Sequence, residues 1–258
     1  MGVPEDSKFS KLKRFNLVMG VFHLVQAAIM FLVSDYNKTW PITAVHLEFN
    51  EVAETLNPVM ETWGEIPLAP LVALFLLISA IAHFTLATVG YKWYVSKLKT
   101  HMNPARWYEY SLSASLMIVI IAMITGIYDI GVLVAIFALT GVMNLCGLLM
   151  ELHNQTTEKT NWTAYIIGCI AGIVPWIVVG IAFFGAFAAS EGEMPSFVVG
   201  IYFSIAFFFN LFAINMALQY KKIGKWKDYL YGERMYIILS LVAKSALAWQ
   251  IFFGTLQP

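Results

Sequence analysis

Residues 235–253 read MYIILSLVAKSALAWQIFF, an apolar run with a single charge, Lys244, near its middle. A run of this length can cross a bilayer as a helix, which needs about 20 apolar residues. A lysine ammonium at that depth costs roughly 2.5–3.5 kcal/mol on insertion scales unless another group neutralises it. Lys244 therefore indicates a functional site and predicts a partner in another span.

The composition of the whole chain also indicates a membrane protein. Of the 258 residues, 59% are hydrophobic and 12% are charged, whereas a typical soluble domain has about 25% charged residues. Seven apolar segments predict an all-α, seven-transmembrane-helix bundle that forms one domain over residues 1–258. The predicted helices cover residues 12–34, 67–92, 103–126, 130–152, 162–187, 195–219 and 232–255. Both cysteines lie inside apolar runs, so we predict no metal site, and we expect no nucleic-acid partner.

One long connection, residues 35–66, separates the first two predicted helices. Its segment 43–49 (TAVHLEF) alternates around apolar positions, which is typical of a strand, and Trp40 and Trp63 suit a membrane interface. This connection predicts a short β-hairpin that forms an ordered cap; the alternative is an unstructured loop.

The distribution of positive charge predicts the orientation. Fourteen of the 16 Lys and Arg residues lie with the N-terminus and the second, fourth and sixth connections, whereas only Lys38 lies on the opposite face. Because Lys and Arg are enriched in cytoplasmic connections, we predict a multi-pass protein of the cell membrane with a cytoplasmic N-terminus and an extracellular C-terminus. The cap at residues 35–66 is then extracellular.

Glu109 is the expected partner of Lys244. It lies in the string RWYEY (residues 106–110) near the start of the third predicted helix, where Arg106, Glu109 and Ser113 share one face. Helix rise puts Glu109 about 10 Å and Lys244 about 15–18 Å from the cytoplasmic ends of their helices, and the lysine side chain leans toward Glu109. We expect no other acid deep in the spans. A purely structural salt bridge is the alternative interpretation.

Further polar and aromatic residues surround this predicted pair. His23 and His83 both lie near mid-membrane, with Gln26 close to His23, and they indicate a hydrated cavity in the cytoplasmic half; helix–helix hydrogen bonds are the alternative. Ser240, four residues before Lys244, faces the same site. An apolar slot that ends at a buried lysine would suit a long conjugated aldehyde, which could form a Schiff base with the amine.

The chain resembles microbial rhodopsins in three features: seven predicted helices, a lysine in the last of them, and an Arg-x-x-Glu-x-x-x-Ser face in the third. The inverted orientation, the RWYEY string, the two histidines, Ser240 and the long first loop are similar to heliorhodopsins over essentially the whole chain. The resemblance implies all-trans retinal on Lys244, Glu109 as the single counterion, a slow photocycle and a homodimer. It implies Ser240 and Ser113 as Schiff-base neighbours. It also implies a retinal pocket of Met143, Gly147, Trp176, Phe207 and Tyr110, and a cytoplasmic-side cavity of His23, His83, Arg106 and Gln26.

The predicted function is a light sensor that moves no net ions and has no enzymatic activity. Many rhodopsin pumps carry a carboxylate one turn before the lysine, where this chain has Ser240, and residues 116–121 (LMIVII) offer no proton-donor acid. Retinal, the lipid bilayer and an unidentified cytoplasmic signalling protein are the expected partners. A light-driven pump or light-gated channel is the alternative. A solute transporter is a third possibility, but the chain lacks the paired broken helices of such folds.

Overall fold

The computed structural model of the protein describes residues 5–191 and 194–257, so residues 1–4, 192, 193 and 258 of the predicted domain lie outside the description. In the described part, a β-hairpin separates the first of eight α-helices from the rest. The strands are β1 (Thr39–Asn50) and β2 (Thr55–Pro67). The helices are α1 (Glu5–Val33), α2 (Leu68–Ala87), α3 (Tyr91–Lys99), α4 (Pro104–Ile124), α5 (Ile130–His153), α6 (Thr163–Ala189), α7 (Ser196–Tyr220) and α8 (Tyr229–Ile251).

Seven of the described helices, all except α3, are long and apolar enough to cross a membrane. The predicted seven-helix bundle is therefore confirmed, and the protein is a multi-pass membrane protein. Helix α1 packs against α2 and α8, while α4 lies between α2 and α5. Lys244 lies at the centre of the bundle, where α8 meets α2 and α4.

The second span differs from its prediction as a single helix over residues 67–92. Helix α2 ends at Ala87, where the Thr88 hydroxyl donates to the Phe84 carbonyl and Gly90 N donates to Thr85 O at 2.8 Å. The chain then forms α3, which buries Tyr94 and Leu98 and carries Lys97 and Lys99 in its last turn. The short helix α3 therefore does not extend the span. It covers the end of the bundle at which α1 begins, which we call the N-terminal end.

The β-hairpin caps the opposite end, which we call the hairpin end. Strands β1 and β2 pair antiparallel along their whole lengths, so the hairpin is longer than the short one predicted. Thr43 N donates to Tyr128 O at 2.9 Å and attaches β1 to the connection between α4 and α5. Beyond Thr43, the apolar side chains of Val45, Leu47 and Phe49 are all more than half exposed. One face of the hairpin is therefore apolar and uncovered in the single chain.

The hairpin half of the bundle has a tightly packed apolar core. Phe75 of α2, Ile118 and Ile121 of α4, and Leu247 and Ile251 of α8 are fully buried in it. Helix α8 begins at Tyr229, where the Asp228 carboxylate accepts from Leu230 N at 3.0 Å and caps the helix. The prediction began this helix at residue 232. The observed start at Tyr229 places Glu233 inside the helix, one turn into the bundle.

Candidate functional site

Lys244 and Glu109 form an ion pair at the centre of the bundle. The Lys244 ammonium Nζ lies 2.7 Å from Glu109 Oε1, and the two side chains are only 4% and 9% exposed. Their helices, α8 and α4, start at the same end of the bundle, which brings the two positions to similar depths. At such a short separation in a poorly solvated site, the attraction stabilises both charges.

Three serines surround this ion pair. Ser240 Oγ lies 3.0 Å from Lys244 Nζ and accepts its hydrogen bond, while the Ser79 hydroxyl of α2 donates to Glu109 Oε1 at 2.6 Å. Ser113 is fully buried beside Glu109, and its hydroxyl makes no hydrogen bond of ordinary geometry within the described chain. Sequence reasoning missed Ser79, because a serine in an apolar helix gives no signal of the side that it faces.

Arg106 is not the neighbour of Glu109 that the sequence suggested. Its guanidinium donates through NH1 to Glu233 of α8 and through NH2 to Glu151 of α5. All three side chains are at most 4% exposed. The expectation of one acid in the interior is therefore wrong. Glu151 and Glu233 lie near the ends of apolar runs, where a carboxylate resembles a surface residue in sequence, but the packing of the helices buries both side chains.

Asn103 and two aromatic rings complete this charged cluster. The Asn103 backbone N–H donates to Glu151 Oε2 at 2.7 Å, and its side-chain amide donates to Glu233 Oε2 at 2.9 Å. The Arg106 guanidinium carbon lies 3.8 Å from the centre of the Tyr236 ring and 4.5 Å from that of Trp107. These contacts hold Arg106 in a dry, aromatic environment.

A small polar cavity of about 30 Å³ separates the ion pair from the charged cluster. Glu109, Ser240 and His83 line it together with Arg106 and Glu233. This volume is enough for water, since a single water needs about 10–15 Å³. The cavity lies between the ion pair and the N-terminal end of the bundle.

The two histidines lie together, whereas Gln26 does not join them. The rings of His23 and His83 stack with centroids 5.5 Å apart, and Asn16 Oδ1 lies 2.8 Å from His83 Nδ1. His23 is fully buried beside His83 but does not itself line the small polar cavity, so its predicted place there is wrong. Gln26 instead accepts a hydrogen bond from Trp249 Nε1 at 3.0 Å, so its predicted place in the cavity is also wrong. Gln26 lies three residues after His23 on α1, which runs toward the hairpin end, so it lies nearer that end.

A second, larger cavity of about 360 Å³ ends at Lys244. Helices α4, α5, α6, α7 and α8 enclose it. Its lining includes four of the five predicted pocket residues, Tyr110, Met143, Gly147 and Trp176, and both Schiff-base candidates, Ser113 and Ser240. Sequence reasoning did not find the other aromatic side chains that line it, which are Trp107, Tyr165, Tyr202, Phe209 and Phe212.

Phe207 is the predicted pocket residue that the structure places elsewhere. Its side chain is 61% exposed on the outer surface of α7. The cavity-facing side of α7 carries Ala206, Phe209 and Ala213, at helical spacing, and Phe207 is about 100° around the helix from Ala206. Because α7 is apolar on all sides, its sequence does not indicate which face points inward.

Gly147 shapes the cavity indirectly. A Cβ atom at this position would lie 2.4 Å from the Trp107 ring, so glycine is required for Trp107 to pack against α5. Gly172 has the same relation to Met143, whose sulfur would lie 2.3 Å from an added Cβ. The two glycines thus fix the side chains of Trp107 and Met143, which form the cavity wall.

The buried cluster is expected to contribute far more to stability than a surface ion pair. Arg106→Leu would leave two buried carboxylates without their cation, which should lower the free energy of unfolding by about 3–5 kcal/mol. Lys8→Gln is the control, because Lys8 and Asp228 form an exposed pair that contributes at most about 1 kcal/mol. Denaturation midpoints of the three proteins in detergent test this; equal midpoints for both variants would contradict the assigned role of Arg106.

Comparisons with known proteins agree with this geometry. The heliorhodopsin family model matches residues 12–256, nearly the entire chain. A comparison with curated proteins gave no match. Since the match covers all seven spans, the hairpin and both cavities, the chain belongs to the heliorhodopsin family of retinal-binding rhodopsins.

Proposed function

We propose that this protein is a light sensor that carries all-trans retinal on Lys244, with Glu109 as the counterion, and that it moves no net ions. The observation that carries the proposal is the buried Lys244–Glu109 pair, 2.7 Å apart, at the end of a largely apolar cavity. Family membership supports retinal as the ligand. The proposal includes a slow photocycle and assigns no enzymatic activity.

The residues of the larger cavity fit retinal. Its volume of about 360 Å³ is within the usual range for ligand pockets, about 300–1,000 Å³. Apolar and aromatic side chains form most of the wall, which suits a polyene and its ring. The polar groups Lys244, Ser113 and Ser240 are gathered at one end, where an aldehyde would meet the amine. Met143, Trp176 and Tyr110 would hold the apolar part.

The protein groups around Lys244 Nζ are arranged to hold a positive charge. Bound retinal supplies light absorption and a change from the all-trans to the 13-cis isomer. Glu109 balances the charge at Nζ, while Ser79 and Ser240 hold the two partners in position. A two-state sensor requires an interaction that differs between its states, and the separation or proton exchange of this pair provides one.

The hairpin half offers no route for a proton from Lys244. The described residues of that half contain no buried Asp, Glu, Lys, Arg or His, and Ile118, Leu247 and Ile251 fill the space above the pair. Ser240 occupies the position of the second carboxylate found in many pumps. The buried acids Glu151 and Glu233 lie on the N-terminal side, together with the histidines. This arrangement favours proton exchange within one half and return to Nζ over net transfer.

The proposed orientation places the polar half toward the cytoplasm. The excess of Lys and Arg at the N-terminal end supports a cytoplasmic N-terminus and an extracellular hairpin and C-terminus. A change at Glu109 would then reach a cytoplasmic signalling partner through the polar cavity and the Arg106 cluster. The uncovered apolar face of the hairpin, which includes Val45, Leu47 and Phe49, supports a homodimer.

Replacement of the counterion should change the colour of the retinal-bound protein. Glu109→Gln removes the negative charge beside Nζ, which narrows the gap between ground and excited states and shifts the visible band to longer wavelength. Absorption spectra at mildly acidic pH, where the nitrogen stays protonated, measure the shift. Glu158→Gln, at an exposed loop position, is the control and should leave the band in place. An unshifted band in Glu109→Gln would place the counterion elsewhere.

Electrical recording separates a sensor from a pump or channel. In voltage-clamped cells that express the retinal-bound protein, continuous light should produce no steady current, because the hairpin half has no buried charged group to relay an ion. Transient charge movement at light onset is compatible with proton exchange inside the N-terminal half. A robust steady photocurrent would contradict the sensor proposal and favour transport. Expression at the surface is checked by labelling an added extracellular tag.

A further inference from the structure

We propose that Glu151 and Glu233 hold one proton between them in the resting protein, so that their cluster with Arg106 is a proton-binding site separate from the Lys244–Glu109 pair. The ligand is a proton shared between two carboxyl groups. The proposed light-sensing function relays its signal through this cluster but does not require the shared proton, and the test of that proton does not depend on retinal.

The first argument is the charge of the cluster. One guanidinium lies between two carboxyl groups, and all three side chains are buried. If both carboxyl groups were ionised, the cluster would carry an uncompensated negative charge in the buried interior of the bundle, which is strongly unfavourable. Lys244 does not balance that charge, because it pairs with Glu109. One bound proton makes the cluster neutral.

The second argument is the arrangement of the two carboxyl groups. Arg106 and Asn103 each donate to both Glu151 and Glu233, so the four donors reach all four carboxyl oxygens. The two groups therefore have nearly equivalent surroundings on one guanidinium, and two acids in such an arrangement titrate as a pair and hold a proton in common. The proton belongs to the pair more than to either residue.

The third argument is a buried acceptor for the acid proton. Tyr236 is fully buried, its ring lies against the Arg106 guanidinium, and its hydroxyl has no hydrogen-bond partner in the described chain. Tyr236, Arg106 and Glu233 all line the small polar cavity, whose volume of about 30 Å³ has room for water. A water in that cavity can accept a hydrogen bond from a carboxylic acid O–H and donate one to the unpartnered Tyr236 oxygen.

The other titratable groups that face the cluster come from every neighbouring element. The tyrosines are Tyr94 of α3, Tyr220 of α7 and Tyr229 of α8, and across the cavity lie His83 of α2 and Glu109 of α4. The tyrosines are neutral at ordinary pH and Glu109 is negative. His83 Nδ1 lies 2.8 Å from Asn16 Oδ1, a hydrogen bond that a neutral imidazole makes. None of these groups therefore supplies a positive charge that would favour ionisation of both acids. The shared cavity also lets the proton exchange with water beside Glu109.

Infrared spectroscopy of the full-length protein in the dark, with and without added retinal, tests the proposal. Glu151→Gln and Glu233→Gln are compared with Glu158→Gln, the exposed control. After either buried substitution, the remaining carboxyl group faces Arg106 alone and should ionise. We expect the wild type and the control to show a carboxylic-acid C=O band, equal to one acid group per chain, that both buried variants lose. Spectra of both buried variants that match the control in this region would overturn the proposal.

A measurement on the unsubstituted protein covers the case in which a buried variant does not fold. Solid-state NMR of protein labelled with ¹³C-glutamate should show a protonated glutamate carboxyl at neutral pH that is in contact with arginine nitrogen. Among the described residues, the carboxylates that form a salt bridge with arginine are those of Glu151 and Glu233. If every glutamate carboxyl in contact with arginine is ionised at neutral pH, the proposal is wrong, whatever the outcome with retinal.

Discussion

The structure depends on the cost of a charge at the centre of a membrane. Lys244 can be retained there because Glu109, on a helix that enters from the same end, meets it at 2.7 Å. Two serines from α2 and α8 complete the hydrogen bonds of the pair. The same requirement keeps the surrounding hairpin half apolar, since any further charge there would need its own partner. The ion pair thus divides the bundle into a dry half and a polar half.

Buried charge in the polar half is also compensated, but by a different set of groups. Arg106 is compensated by Glu151 and Glu233 and enclosed by Trp107 and Tyr236. This second cluster closes the small cavity on its N-terminal side, while α3 covers that end of the bundle. A change of charge at Glu109 therefore acts first on a compact polar region and only through it on the surface.

The sequence predicted the features that depend on composition and depth. Hydropathy gave the seven spans, and the matched depths of Lys244 and Glu109 indicated their pairing. The partners of Arg106 depend on tertiary packing, because Glu151 and Glu233 lie near helix ends and become buried only when the helices pack together. Phe207 shows a further limit: an evenly apolar helix carries no pattern that tells its inner face from its outer one.

The central claim is that Lys244 is the covalent attachment site of a light-absorbing ligand, and peptide mapping tests it most directly. Dark incubation with all-trans retinal, borohydride reduction and mass spectrometry should find one retinyl group on the peptide that contains Lys244. Lys244→Ala should carry none and stay colourless, while the wild type absorbs visible light. A colourless wild-type protein, or a retinyl group on another lysine, would contradict the account.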